Sequence, residues 1–231
     1  MRGTHKPRVK ICCINSVLEA LLAIEHGASA LGLVSNMPSG PGVISEKLIA
    51  EIAATVPPGI GTFLLTCEAR SEALVEQQRR ARVNTLQLVD RVPPGTHAAL
   101  RRALPGISIV QVIHVRDQQS VAEAAEVAPH VDAVLLDSGN PALAVKELGG
   151  TGRVHDWWLS RQIRESISAP IFLAGGLRPE NVGEAIRRVG PYGLDLCSGV
   201  RTGGKLDAAT LAAFFESGES AARDGGDFAT R

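Results

Sequence analysis

The chain is poor in aromatic residues, has no net charge and contains no long apolar run, and each lack removes a class of function. Phe, Trp and Tyr together make up 3% of 231 residues, too few for a base-stacking surface. The 24 basic side chains are matched by 24 acidic ones, so no electrostatic argument favours nucleic acid or an anionic membrane as a partner. Four cysteines, at 12, 13, 67 and 197, show no zinc-ligand spacing, and no metal is expected. They are also too sparse for a disulfide scaffold in a chain of this length. The first ten residues are basic, but no long apolar segment follows them. No secretory signal and no transmembrane span are therefore expected, and a reducing cytoplasm is the expected compartment.

What is present is a full complement of core residues, 45% apolar, arranged in a repeating order. Short apolar runs near 9–14, 30–34, 60–66, 85–89, 107–115, 133–137, 170–174 and 193–197 read as strands. Amphipathic patterns near 16–26, 45–55, 69–82, 95–103, 120–128, 156–167, 179–189 and 207–217 read as helices. Eight strand–helix units predict an α/β protein, a single (β/α)8 TIM barrel over residues 1–217 with a flexible tail over 218–231. Ser16 with Glu19, and Ser120 with Glu123, have capping-box spacing. Leu18, Leu21 and Leu22 are expected on the inner face of the first helix. Asp156 is placed to cap the sixth helix and Pro179 to open the seventh.

In such a barrel the carboxyl ends of the strands converge on one mouth. Cys12 ends the first apolar run, and Lys10, two residues earlier, projects to the same face. Its ammonium would favour the thiolate over a free thiol of pKa ~8.5 and would help neutralise an anionic substrate. The plainer reading of Cys12 is a small buried hydrophobe. Cys13 is expected on the opposite face, toward the helices, and Cys67 and Cys197 are expected to be structural. Asp137 ends the sixth run, where a carboxylate needs a partner or a rim position. Gly149-Gly150-Thr151-Gly152 follows and suits either a turn or a wall that lets substrate approach closely. Gly175 and Gly176, with Ser198 and Gly199 one strand later, suit a phosphate clamp, since a side chain would hold backbone N–H groups away from phosphate oxygens. Strands seven and eight lie between six and one, so a phosphate there would sit between Asp137 and Cys12.

These pieces, in this order, resemble the phosphoribosylanthranilate isomerase family of tryptophan biosynthesis. The matching stretches are Lys10-Ile11-Cys12, Leu135-Leu136-Asp137-Ser138, the glycine cluster 149–152, His155-Asp156-Trp157, Leu173 to Leu177 and Leu196 to Val200. The resemblance implies an Amadori rearrangement of an aminoaldose phosphate, without a cofactor. Asp137 would be the acid that opens the sugar ring, and Cys12 the base that removes the neighbouring proton. Gly150, Gly175, Gly176, Ser198 and Gly199 would hold the phosphorylated sugar, in a monomer or a homodimer. The chain also departs from the family pattern. The loop 36–42 lacks the usual arginine, Val89 and Asp90 replace a usual His-Gly pair, Cys13 replaces a glycine, and Arg201 replaces an acid. Arg91 or Arg116, both at strand ends, would supply the missing cation for an aromatic carboxylate; the alternative for both is a solvated surface position. Two other functions stay open at this point: a paralogous isomerase of another phosphorylated aminosugar, and a sugar-phosphate-binding barrel without catalysis.

Overall fold

Alternation of side chains along short strands decides the architecture. A computed structural model describes residues 6–150 and 152–224. Eight parallel strands form a closed barrel in sequence order: β1 (Arg8–Ile11), β2 (Ala30–Val34), β3 (Gly61–Thr66), β4 (Thr85–Leu88), β5 (Ser108–His114), β6 (Ala133–Asp137), β7 (Ile171–Leu173) and β8 (Gly193–Leu196). The ring closes where β1 pairs with β8, with Lys10 opposite Asp195 and Ile11 opposite Leu196. Helices α1 (Val17–Glu25), α2 (Glu46–Thr55), α3 (Ser71–Ala81), α4 (Thr96–Ala103), α5 (Gln119–Val127), α6 (Trp157–Ser166), α7 (Val182–Val189) and α8 (Ala208–Asp224) follow the strands. A two-stranded antiparallel hairpin, β9 (Arg201–Thr202) and β10 (Lys205–Leu206), precedes α8.

Two apolar clusters follow from the period of two. Ile11, Leu31, Leu33, Leu64, Leu86 and Leu136 face outward and pack under the helices. Ala30, Phe63, Leu65, Val110, Leu135 and Phe172 face inward and fill the barrel. Phe63 and Phe172 meet edge to face across the interior, with ring centroids 5.9 Å apart. No helix among the described residues is long and apolar enough to cross a membrane.

Several local expectations give way to tertiary context. In α1 the inward face is carried by Ala20 and Ala23, while Leu18 and Leu21 are exposed at 78% and 43%. Small side chains let this helix lie close to the sheet, and the leucines sit on the other side of the turn. The Ser16 cap does form, accepting from the Glu19 N–H at 3.2 Å. The second capping box does not. α5 starts at Gln119, and Ser120 is buried, donating to the His114 carbonyl at 3.2 Å and accepting from the Arg116 N–H. Asp156 caps α6 through the Trp158 N–H at 2.8 Å. Pro179 lies in a turn ahead of α7, which starts at Val182. At the other end, α8 continues through Asp224, past the expected start of the tail at 218. The remaining tail positions, 225–231, lie outside the described residues, as does Thr151 of the glycine cluster.

Candidate active site

A cleft opens at the carboxyl ends of the strands, the end of such a barrel at which active sites are built. Cys12, Asp137, Gly150, Gly175, Gly176, Ser198 and Gly199 all line it. The structure thus brings together seven of the ten side chains or backbone positions singled out from sequence.

Lys10 lies beneath the cleft rather than in its wall. The ammonium has no solvent exposure, donates to Asp195 Oδ1 at 2.8 Å, and sits 5.3 Å from the Phe63 ring centroid. Burial pulls its pKa down, but Asp195, and Cys12 beyond it, more than offset that pull and hold the pKa above the ordinary lysine value. This corrects part of the sequence reading. The charge is already matched by Asp195, so Lys10 is a buried support for the site and does not reach a substrate anion. The same-face reading of Lys10 and Cys12 agrees with Gly32 on the neighbouring strand. A Cβ there would come within 2.8 Å of Cys12 Sγ and 3.0 Å of Lys10 Nζ. Thiol and ammonium therefore lean together over one glycine.

Cys13 does not face the helices. Strand β1 stops at Ile11, and Cys13 adopts a left-handed backbone with φ of 60°, which a glycine enters without strain. That turn swings the side chain inward, where it is buried, lines the cleft and lies 2.7 Å from the sulfur of Cys197. Arg201 braces the same turn. Its guanidinium holds Glu19 through two contacts of 2.9 Å and donates to the Cys13 carbonyl at 2.6 Å. Cys67, in contrast, is a rim residue whose thiol donates to the Asn36 carbonyl at 3.3 Å.

Asp137 ends β6 with 8% of its surface exposed, and its Oδ1 accepts from the Ser138 N–H at 2.7 Å. Gly149 passes directly over it; a Cβ there would stand 2.6 Å from Asp137 Oδ2. Close to Asp137 lies His155, half-buried, with Nε2 at 2.6 Å from Ser160 Oγ. Burial pushes the His155 pKa down to about 4, against the pull of Asp137 and Asp156. The ring is therefore neutral at pH 7 and its Nδ1 lies 3.1 Å from where a Gly175 Cβ would be.

The cradle between Asp137 and Cys12 is crowded backbone. Gly175 and Gly176 have φ of 82° and 62°. A Cβ on Gly176 would meet the Gly152 carbonyl at 2.9 Å, and one on Gly199 would run into the Leu177 carbonyl. Above it, two loops touch: Gly150 abuts Pro41, and Ser39 Oγ donates to the Lys146 carbonyl at 2.5 Å. An apolar stretch of the wall is formed by Val34, Met37, Leu65, Val89 and Leu148, and Gln87 and Asp195 also line the cleft.

Arg91 and Arg116 are elsewhere. Both line a separate cleft with His114, Glu123 and Lys146, outside the β4 and β5 ends. Arg91 pairs with Glu123 at 2.8 Å. Lys146, paired with Asp90, lines the same cleft. Neither arginine is available to an aromatic carboxylate in the main cleft. Among the described residues lining that cleft there is no lysine or arginine.

Asp195, His155 and Gln87 are not among the site residues that the sequence singles out, although His155 lies in one of the matching stretches. Asp195 is hidden in the apolar run Gly193-Leu194-Asp195-Leu196. The signal was a buried lysine in need of an acid, together with the parity that a closed ring imposes on its first and last strands.

Known proteins resemble this chain over nearly its whole length. A family model described as N-(5'phosphoribosyl)anthranilate (PRA) isomerase matches residues 9–217. The N-(5'-phosphoribosyl)anthranilate isomerase of Methanosarcina acetivorans is 34% identical over 225 residues, 91% of this chain and 92% of that protein. The N-(5'-phosphoribosyl)anthranilate isomerase 2 of Methanosarcina mazei is 37% identical over 195 residues, covering 84% and 85%. Among solved structures, the phosphoribosyl anthranilate isomerase of Thermotoga maritima superposes with a TM-score of 0.78 at 28% identity, over 93% of this chain and 99% of that one. A phosphoribosyl anthranilate isomerase in complex with reduced 1-(o-carboxyphenylamino)-1-deoxyribulose 5-phosphate superposes with a TM-score of 0.75 at 26% identity, with the same coverage.

Proposed function

The chain belongs to the N-(5'-phosphoribosyl)anthranilate isomerase family, and we propose that Cys12 and Asp137 are the base and the acid of its reaction. That reaction is the Amadori rearrangement of N-(5'-phosphoribosyl)anthranilate to 1-(2-carboxyphenylamino)-1-deoxyribulose 5-phosphate in tryptophan biosynthesis. The observation that carries the assignment is the placement of Cys12 and Asp137 on either side of one glycine-built cradle in one cleft.

In this reading the substrate phosphate takes the cradle of Gly175, Gly176, Ser198 and Gly199, where backbone N–H groups reach it without a Cβ in the way. Gly150 closes over the sugar. Asp137, in its protonated form, gives its proton to the furanose ring oxygen, and the ring opens to a Schiff base. Cys12, as thiolate beside the Lys10 ammonium, removes the proton from the adjacent carbon. The enolamine so formed tautomerises to the ketone. The step needs an acid and a base in opposite protonation states facing one substrate, and Asp137 at the end of β6 and Cys12 after β1 are our candidates for the two roles. Neutral His155 positions the Gly175 turn and adds no charge beside Asp137. The aryl ring lies against Met37, Leu65, Val89 and Leu148, and with no cation in that wall its carboxylate stays toward the open mouth. The reading holds for a monomer or a homodimer, in the cytoplasm.

Cys12→Ala tests it. Turnover should fall by at least ~10³-fold, within the range of general-base contributions, while binding of the reduced product analogue stays within a few-fold. Near-normal turnover in Cys12→Ala would refute the base assignment.

A further inference from the structure

We propose that Cys13 and Cys197 form an oxidation site, at which hydrogen peroxide converts the two thiols into a disulfide bridging the end of β1 and the loop after β8. Their sulfur atoms are 2.7 Å apart, against ~2.05 Å for the finished bond, so closing the bridge requires a shift of well under an ångström. The approach is set by the left-handed backbone at Cys13, which turns its side chain toward β8.

The two thiols are not equivalent. Cys13 is 5% exposed, while Cys197 is partly open. Hydrogen bonding with Cys13 and the charge of Arg201 draw the Cys197 pKa below that of an ordinary thiol, whereas contacts with Cys12 and Cys197 push that of Cys13 up. Arg201 is held in place by Glu19 on one side and the Cys13 carbonyl on the other, so its charge stays beside the pair. A second opening, lined by Asn15, Pro41, Gly42, Ser198, Arg201 and Gly204, reaches both cysteines. A small oxidant can therefore arrive from a side other than the main cleft.

The chemistry closes with peroxide as the only co-reactant. The Cys197 thiolate attacks one peroxide oxygen, the O–O bond breaks, and hydroxide leaves and is protonated to water, giving a sulfenic acid. The Cys13 sulfur, losing its proton, attacks the Cys197 sulfur, and a second water departs. Both sulfurs are oxidised and both peroxide oxygens are reduced to water. Cys12 also touches Cys13, but adjacent residues have Cα atoms ~3.8 Å apart, short of the ~4.4 Å lower limit of ordinary disulfides. Cys197 is therefore the partner. The bridge would join the residue after Cys12 to the residue before Ser198, tying the thiol side of the cleft to the cradle.

The test is peptide mapping by mass spectrometry without reduction, after equimolar hydrogen peroxide and alkylation of remaining thiols. Wild-type protein should yield one link between the peptide bearing Cys12 and Cys13 and the peptide bearing Cys197, and dithiothreitol should remove it. Cys13→Gly, whose glycine suits the left-handed backbone, should lose the link; Cys12→Ser should keep it. Absence of the link in wild type, its survival in Cys13→Gly, or its loss in Cys12→Ser overturns the proposal.

Discussion

Replacing Lys10 with methionine removes one partner of a buried ion pair. Lys10 is fully buried and Asp195 is 8% exposed, at 2.8 Å. Breaking a buried pair by removing one member costs about 3–5 kcal/mol, because the other charge is left without compensation. In a domain of this size each kcal/mol moves the melting temperature by roughly 2–4 °C, so Lys10→Met should melt roughly 6–20 °C lower than wild type. The cost should also depend on pH. Burial is the leading influence on Asp195 and pushes its pKa up; with the ammonium gone nothing in the pair opposes that. A carboxyl raised in the folded state keeps its full stability below the unfolded value of ~3.9 and loses it as pH climbs from there to the folded value. Lys10→Met should thus be closer to wild type at pH 5 than at pH 8. Adding Asp195→Asn should recover much of the loss at pH 8, since the buried charge is then absent. Guanidinium unfolding of the four proteins of this cycle at both pH values gives the coupling. A Lys10→Met penalty under ~1 kcal/mol, or a penalty that Asp195→Asn leaves untouched, would refute the reasoning.

Gly32→Ala would push a methyl group against Cys12 Sγ and Lys10 Nζ; we expect a loss of ~1–3 kcal/mol, as for overpacked cores, with at least a tenfold fall in kcat, measured by steady-state turnover. Gly199→Ala would collide with the Leu177 carbonyl and should abolish competitive inhibition by inorganic phosphate; unchanged inhibition would argue against the cradle. Arg91→Ala and Arg116→Ala should each leave kcat/KM within about twofold of wild type, because both residues belong to another cleft. N-(5'-phosphoribosyl)aniline, which lacks the carboxylate, should keep kcat/KM within about tenfold of the anthranilate substrate, since a charge-assisted contact worth ~1.5–3 kcal/mol is missing from that wall; a drop of a thousandfold would show that a cation does reach the ring.

The order of strands and the ends that carry Cys12, Asp137, Gly175-Gly176 and Ser198-Gly199 are readable because apolar runs of this length, broken by polar turns, have few other homes than a closed parallel sheet. Lys10 was placed on the correct face by parity alone. The failures share a cause: local rules were carried beyond the local structure they describe. Cys13 was assigned a face as if β1 continued, but the strand ends at Ile11 and a left-handed residue reverses the direction. Leu18 and Leu21 were given the inner face for being apolar, yet the sheet accepts Ala20 and Ala23 there. Arg91 and Arg116 do follow strand ends, but both line a separate cleft, where Arg91 is drawn to Glu123. Ser120 had the spacing of a cap and was used instead to tie the β5 end to α5.

The seam between the first and last strands has a consequence for biosynthesis. Partners 185 positions apart in the chain meet there as Lys10 and Asp195, and such distant encounters are slow to form because a long segment must be ordered before they are rewarded. An emerging polypeptide lacks half of its anion receptor and leaves its most hidden ammonium unmatched until β8 has been made. Catalytic competence should therefore arise late and all at once, and fragments ending before residue 193 should have neither the rearrangement nor a stable ring.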